Sequence, residues 1–144
     1  FDGSSTINTS NFAFLQGTSS ISQEINGFSV GGEFLVGIDF NARDCCGGLP
    51  VATIYINDAV IGSTTDLLPD PGTVSPVGGD TPWYRADVPF TASAETLTLM
   101  ISSEVIGGDG TLVVDNISIS AIPEPSSSIL ALLGAGLLIF RRRR

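Results

Sequence analysis

The sequence predicts an all-β fold, an antiparallel jelly-roll β-sandwich, followed by a single short apolar helix at the C-terminus. Three observations predict it. Runs of aliphatic, aromatic and β-branched residues alternate at period two, which puts one side of a strand in a core and the other outside. Glycine, asparagine and proline separate these runs at short intervals, and no convincing helical spacing occurs before Ala121. The end of the chain breaks the pattern, with an apolar run from Ile129 to Phe140 and then Arg141 to Arg144.

In order, Phe12 to Leu15 and Ser19 to Ile25 read as two short strands around Gly17. Phe34, Val36, Ile38 and Phe40 then alternate, giving a strand with one buried face. Thr53 and Tyr55 alternate with Ala52, Ile54 and Ile56, and Asn57-Asp58 supplies a tight hairpin turn into Ala59 to Gly62. Ser63 to Pro82 is rich in proline and glycine and reads as a mobile surface loop beside any binding site. Its acids, Asp66, Asp70 and Asp80, are too scattered for a calcium loop. Tyr84, Ala86, Val88 and Phe90 form the next alternating strand, and Leu97, Leu99 and Ile101 the one after. The last runs from Thr111 to Ser120, with Val113, Ile117 and Ile119 expected on one inward face.

Charge narrows the function. The chain has no lysine and a net charge of −9, and Arg43 and Arg85 are the only basic residues before the terminal arginines. So acidic a domain repels phosphate backbones, so nucleic acid is not an expected partner. Histidine is absent, which removes Ser-His-Asp and Cys-His catalysis and histidine-based zinc sites. Paired carboxylates remain chemically open for glycoside cleavage. No pair of acids stands out for that work, and a non-catalytic domain is expected. Cys45 and Cys46 are adjacent, and three states are open to them: a vicinal disulfide, bridges to other cysteines, or two thiols in a turn. The chain begins at Phe1 without a methionine and with no apolar leader, which reads as a processed form or an N-terminally truncated fragment.

The tail divides into Pro123-Glu124-Pro125, a serine patch, an apolar helix at about 127–140, and Arg141, Arg142, Arg143 and Arg144. Prolines stiffen the entry, the apolar run can partition into a bilayer, and the arginines hold their end on the cytoplasmic side. As a helix, Ser126 to Phe140 reaches about 22 Å, short of the ~30 Å hydrocarbon core, which suits a transient anchor. This order of motif, span and basic end resembles the PEP-CTERM sorting signal of Gram-negative bacteria. The resemblance implies a partner, the membrane enzyme exosortase, that recognises and processes the chain near the motif. The expected organisation is a domain at 1–121 and a sorting signal at 122–144. The expected location is outside the cytoplasm: anchored to the inner membrane at least transiently, then at the cell surface or in the extracellular polysaccharide matrix.

A second resemblance covers roughly Phe12 to Ser120. Leu15-Gln16-Gly17, Gly31-Gly32-Glu33-Phe34, Phe40-Asn41-Ala42-Arg43, Trp83-Tyr84 and Val114-Asp115-Asn116-Ile117 fall in an order similar to that of galactose-binding-like domains. That resemblance implies a jelly-roll sandwich, often a carbohydrate-binding module. Two residues are candidate ligand contacts. Arg43, at a strand end, can hydrogen-bond sugar hydroxyls or a uronic-acid carboxylate; its alternative is a pair with Asp44, Asp39 or Asp87. Trp83 directly follows the long loop and, opposite in parity to Tyr84, points outward or toward that loop; exposed aromatic faces stack pyranose rings. Asp115 falls on the expected inward face, where a carboxylate needs a partner. Galactose-binding-like domains often hold a structural calcium near the chain ends, which makes Asp115 with Asp2 a candidate pair of ligands. Hydrogen bonding to backbone at a bulge is the other reading. The expected role is therefore an exported protein that binds glycans or serves the matrix structurally, with a carbohydrate-active enzyme as the alternative.

Overall fold

The computed structural model describes residues 12–69, 72–78, 81–105 and 107–123. Eight strands follow in order: β1 (Ala13–Gln16), β2 (Ser19–Asn26), β3 (Glu33–Ala42), β4 (Pro50–Ile56), β5 (Ala59–Ser63), β6 (Tyr84–Thr91), β7 (Thr96–Val105) and β8 (Thr111–Ala121). They pair antiparallel into two four-stranded sheets. Sheet A has the order β1-β8-β3-β6 and sheet B the order β2-β7-β4-β5. The predicted antiparallel sandwich is the fold found.

The alternation in the sequence becomes the core. Val36, Ile38 and Phe40 on β3, Ala86, Val88 and Phe90 on β6, and Leu112 and Val114 on β8 face Leu97, Leu99 and Ile101 on β7 with Ala52 and Ile54 on β4. Removing each of these larger side chains from water stabilises the fold by about 1.5–3 kcal/mol before chain entropy is counted. Asn57 and Asp58 both take positive φ, 48° and 65°, as a two-residue hairpin loop between strands of this twist needs. Asn57 adds its own cap, its Oδ1 accepting from the backbone N–H of Thr98 at 2.8 Å.

Two expectations need correction. The segment after Ser63 is neither uniformly irregular nor simply a surface loop. A single helical turn, α1 (Thr64–Leu67), opens it, capped by Ser63 Oγ, which accepts from the backbone N–H of Thr65. Val74 is fully buried, and its N–H donates to Pro50 O at 2.8 Å. An apolar side chain in a proline-rich stretch gave no period to read, yet it joins the core. The second correction concerns β8. Val113, Ile117 and Ile119 do not share a face, because the register slips between Gly37 and Asp39 of β3, opposite Ser118 and Asp115. β8 bulges there, with Asn116 at φ 54°. One extra residue in a strand inverts the parity beyond it. Leu112 and Val114 therefore point inward before the bulge and Ile119 after it, while Ile117 is 43% exposed.

All strands start or stop at one of two ends. One end carries the β1–β2, β3–β4 and β7–β8 turns and the β5–β6 segment; the other carries the remaining turns and the exit of the chain after β8. Aromatic rings close the second end. Phe28 meets Phe34 and Phe90 edge-on at 5.0 and 5.9 Å, and Phe34 stacks on Phe90 at 5.7 Å.

Candidate binding face on sheet A

Register assigns the outward side chains of sheet A. Phe14 lies opposite Val113, which lies opposite Asn41; two residues along β3, Asp39 lies between Asp115 and Arg85. Directly opposed residues point to the same side of a sheet, so these form one face. The same alternation carried one step past the strands brings Phe12, Arg43 and Trp83 to that side. Phe12 and Trp83 do meet, edge to face, with centroids 6.3 Å apart.

Arg85 organises the middle of the face. Its Nη1 donates to Asp39 Oδ1 at 3.1 Å and to the carbonyl of Asn116 at 3.3 Å; its Nε donates to Asp87 Oδ1 at 3.0 Å and its Nη2 to Ser118 Oγ at 3.3 Å. Four partners on three neighbouring strands match the fixed fork of a guanidinium. Gly37 makes this possible: a Cβ there would collide with the Arg85 guanidinium and Asp87. The bulge supplies the Asn116 carbonyl, and the Asn116 side chain donates to Asp39 Oδ2 at 2.9 Å. Asp39, only 5% exposed, thus has both oxygens engaged, as a buried carboxylate requires. Burial lowers the Arg85 pKa, but the hydrogen bonds and charges of Asp39 and Asp87 outweigh it, and the net shift is upward.

Toward the loop-rich end the face turns apolar and is partly covered. Asn41, buried, holds the β5–β6 segment across it: Asn41 Nδ2 donates to Val77 O at 3.0 Å, and Asn41 Oδ1 accepts from the N–H groups of Val77 and Ala42 at 2.9 and 2.8 Å. Trp83 is only 9% exposed, and its indole Nε1 has no hydrogen-bond partner among the described residues. Phe12 and Phe14 are 41% and 45% exposed. Trp83, expected to point outward or toward the loop as an exposed stacking face, lies on the outward side by register but is buried against Phe12, and Phe12 and Phe14 are the more exposed rings. They were missed as candidates, though their alternation with Ala13 and Leu15 was a usable signal.

Arg43 and Arg85 exchange roles relative to expectation. The ion pairs foreseen for Arg43 with Asp39 or Asp87 belong to Arg85. Among the described residues the half-buried Arg43 side chain makes no salt bridge or hydrogen bond; only its backbone N–H is engaged, donating to Thr111 O at 3.1 Å. Beside it, Cys45 and Cys46 form a vicinal disulfide. This loop packs against the β7–β8 turn, where Asp109 N–H donates to Cys46 O at 3.2 Å, and a Cβ on Gly108 would strike the backbone of Gly47. Gln16 Nε2 clamps the turn by donating to both Asp109 carboxylate oxygens, at 2.7 and 2.9 Å.

Asp115 is half-buried on the outward side, ahead of the bulge, and its Oδ1 accepts from Asn116 N–H at 2.7 Å. Bonding to backbone at a bulge is the arrangement found. No group of three or more His, Cys, Asp or Glu side chains that could hold a metal occurs among the described residues. Asp2 lies outside them, as do Glu124, Pro125, the span at 127–140 and Arg141 to Arg144. Pro123 is described and exposed. Among the described residues no helix is long and apolar enough to cross a membrane.

A separate cavity of about 430 Å³ lies between the sheets, alongside β2 and the half of β8 that β1 does not reach. Its walls are mainly isoleucine and leucine from β2, β7 and β8, with Ser22, Gln23 and Ser118 as polar groups. This slot brings together no aromatic ring and no arginine, and we place the candidate site on the outer face of sheet A, where both occur.

Comparison with known proteins agrees with both parts of the chain. The PEP-CTERM protein-sorting motif matches residues 121–144. Among curated proteins, none matches the chain in sequence. Of the solved structures, one described as "EclA C-terminal domain; sugar-binding protein" superposes with a TM-score of 0.56 at 12% identity, covering 82% of this chain and 84% of that one. Another, described as "CBM4 structure and function", gives a TM-score of 0.48 at 12% identity over 79% and 86% of the two chains. The chain is a two-sheet antiparallel sandwich, similar in fold to the first of these structures, and residues 121–144 match the PEP-CTERM protein-sorting motif.

Proposed function

We propose that this protein is exported, sorted through its C-terminal motif by an exosortase, and binds glycans without catalysis on the outer face of sheet A. The observation that carries the binding reading is one of register. The exposed rings of Phe12 and Phe14, the edge-packed Trp83 and both arginines of the domain occupy one face of one sheet. Pyranose rings lay their C–H faces on aromatic rings, and hydroxyls take hydrogen bonds from donors at the rim. Arg43, whose side chain has no partner among the described residues, is the donor we assign to the ligand; Arg85, fully engaged, holds the floor. The Trp83 Nε1–H, without a hydrogen-bond partner among the described residues, is a second candidate donor. A structural calcium at Asp115 and Asp2 belongs to this proposal as its least supported part, since Asp115 already has a backbone partner.

The strand order also supports a jelly roll. Sheet orders 1-8-3-6 and 2-7-4-5 are those of an eight-stranded antiparallel ribbon folded over on itself. The sorting half of the reading implies passage through the inner membrane, with the 127–140 run as a transient anchor and the arginines on the cytoplasmic side.

Retention on a panel of insoluble and soluble polysaccharides tests the binding reading. Wild-type protein should be retained on at least one, and Phe14→Ala should weaken retention about tenfold, the size of one aromatic stacking contact. Tyr55→Ala, on the opposite outer face, should change nothing. No retention on any polysaccharide removes the glycan reading, and sugar release lost on substitution of an aspartate moves the assignment to an enzyme.

A further inference from the structure

The sandwich and the sorting motif share a residue. Ala121 is the last residue of β8 and the first of the match to the motif. It lies opposite Phe34, whose ring stacks on Phe90, and two residues earlier Ile119 lies opposite the fully buried Val36. The hydrogen-bonded edge continues one residue more, Ile122 N–H donating to Glu33 O at 2.8 Å. Pro123 has no N–H to extend it and is exposed. One extended residue covers about 3.5 Å, so the Pro-Glu-Pro motif begins within a few ångströms of the folded edge.

We propose that this strand end fixes where and how fast the chain is processed: the scissile bond lies beyond Ile122, and the cut waits on local opening of the last residues of β8. The proposal rests on the reading of residues 121–144 as a processed sorting signal. An enzyme that cuts a peptide bond holds its substrate as an extended strand through backbone groups on either side of that bond. From Ser118 to Ile122 the edge toward β3 is already paired with Glu33 to Gly37. A cut inside this stretch would strip Ile119 or Ala121 from Val36 and Phe34 and unroof the aromatic cluster. A cut beyond Ile122 leaves every β3–β8 pairing and the Ile122–Glu33 hydrogen bond in place. In hydrolysis the acyl C–N bond breaks, water supplies the hydroxyl of the new carboxyl group on the body, and its other proton goes to the departing amine of the tail. With an amine acceptor instead of water, the body ends as an amide. Either way the product is a complete sandwich, released only as often as the strand end frays.

The experiment uses the full chain in a host carrying an exosortase, with intact-mass mapping of the mature C-terminus and pulse-chase timing. The mature body should retain Ile122. A six-residue Gly/Ser insertion between Ile122 and Pro123 should speed processing about threefold or more, by removing the need for opening. A mature C-terminus at or before Ala121, or a rate unchanged by the insertion, overturns the proposal. Replacing Pro123-Glu124-Pro125 by alanines separates the two levels. If that variant is processed like wild type, or wild type is not processed at all, the sorting reading fails first and takes this one with it. If the motif is required but the cut falls inside β8, only the present inference fails.

Discussion

On sheet B the outward positions are Ser20, Ser22 and Glu24 of β2, Thr98, Met100 and Ser102 of β7, and Thr53 and Tyr55 of β4. On sheet A they are Phe14, Asn41, Asp39, Asp115, Arg85 and Asp87. Both rows arise from the same alternation in sequence, yet they solve different problems. Most side chains on sheet B are short hydroxyls that water satisfies, so that face tolerates change. Sheet A keeps a carboxylate out of water, holds a guanidinium to four acceptors, and ties a long segment down through one asparagine. Where polar groups are buried, each depends on its neighbours, and the face is correspondingly rigid and sensitive. Rigidity is what a recognition surface needs, because a preorganised site loses less entropy on binding.

Substitutions can break this contrast. The largest effect should come from Asp39→Ala, which takes the carboxylate from Arg85, leaving Nη1 only the Asn116 carbonyl, and removes the acceptor of Asn116 Nδ2; because the Arg85 side chain is 40% exposed, the cost should be about 2 kcal/mol rather than the full loss of a buried pair. Thr53→Ala on sheet B should stay within about 0.5 kcal/mol in the same urea titration. Equal losses would erase the distinction. Next, Asn41→Ala removes three hydrogen bonds and should cost about 1–2 kcal/mol, with faster proteolysis between residues 72 and 78 as its signature. Resistance to protease unchanged from wild type would mean that the segment is held by Val74 alone. Smallest of the sheet A changes should be Gly37→Ala, which pushes the guanidinium aside without deleting a charge and should cost about 1 kcal/mol. If Gly37→Ala equals Asp39→Ala, the fork geometry rather than the carboxylate governs the face.

Much of this architecture was legible in the residues. Phe34 to Phe40 and Tyr84 to Phe90 announce their buried sides through strict alternation, and Asn57-Asp58 names its own turn because few residues accept two successive positive φ values. The tail was legible for a different reason, since proline, apolar run and arginines act through local chemistry and need no neighbours. The candidate face was legible only in pieces. Residue type and strand position single out Trp83 and Arg43 as candidates but not Phe14 and Asn41, whose place on the face comes from what lies opposite. Nothing in Asn116 says that β8 gains a residue there; the bulge exists because β3 and β8 must keep Ile38, Val36 and Ile119 in one core on both sides of Asp39.

The sequence by itself determined that the protein is a β-sandwich of acidic character, which runs bury, where the hairpin turns, and that a sorting motif follows. Those properties are periodic or local, and a single strand or segment expresses them. Tertiary structure alone decided that Arg85 is the arginine that pairs with Asp39 and Asp87, that Val74 joins the core, that Cys45 and Cys46 bond each other, and that the motif starts one residue beyond a hydrogen-bonded edge. Apart from the bond between the adjacent cysteines, each of these depends on pairing between segments far apart in the chain. Such pairing is selected by the summed burial of both sheets, and no single stretch of residues carries that sum.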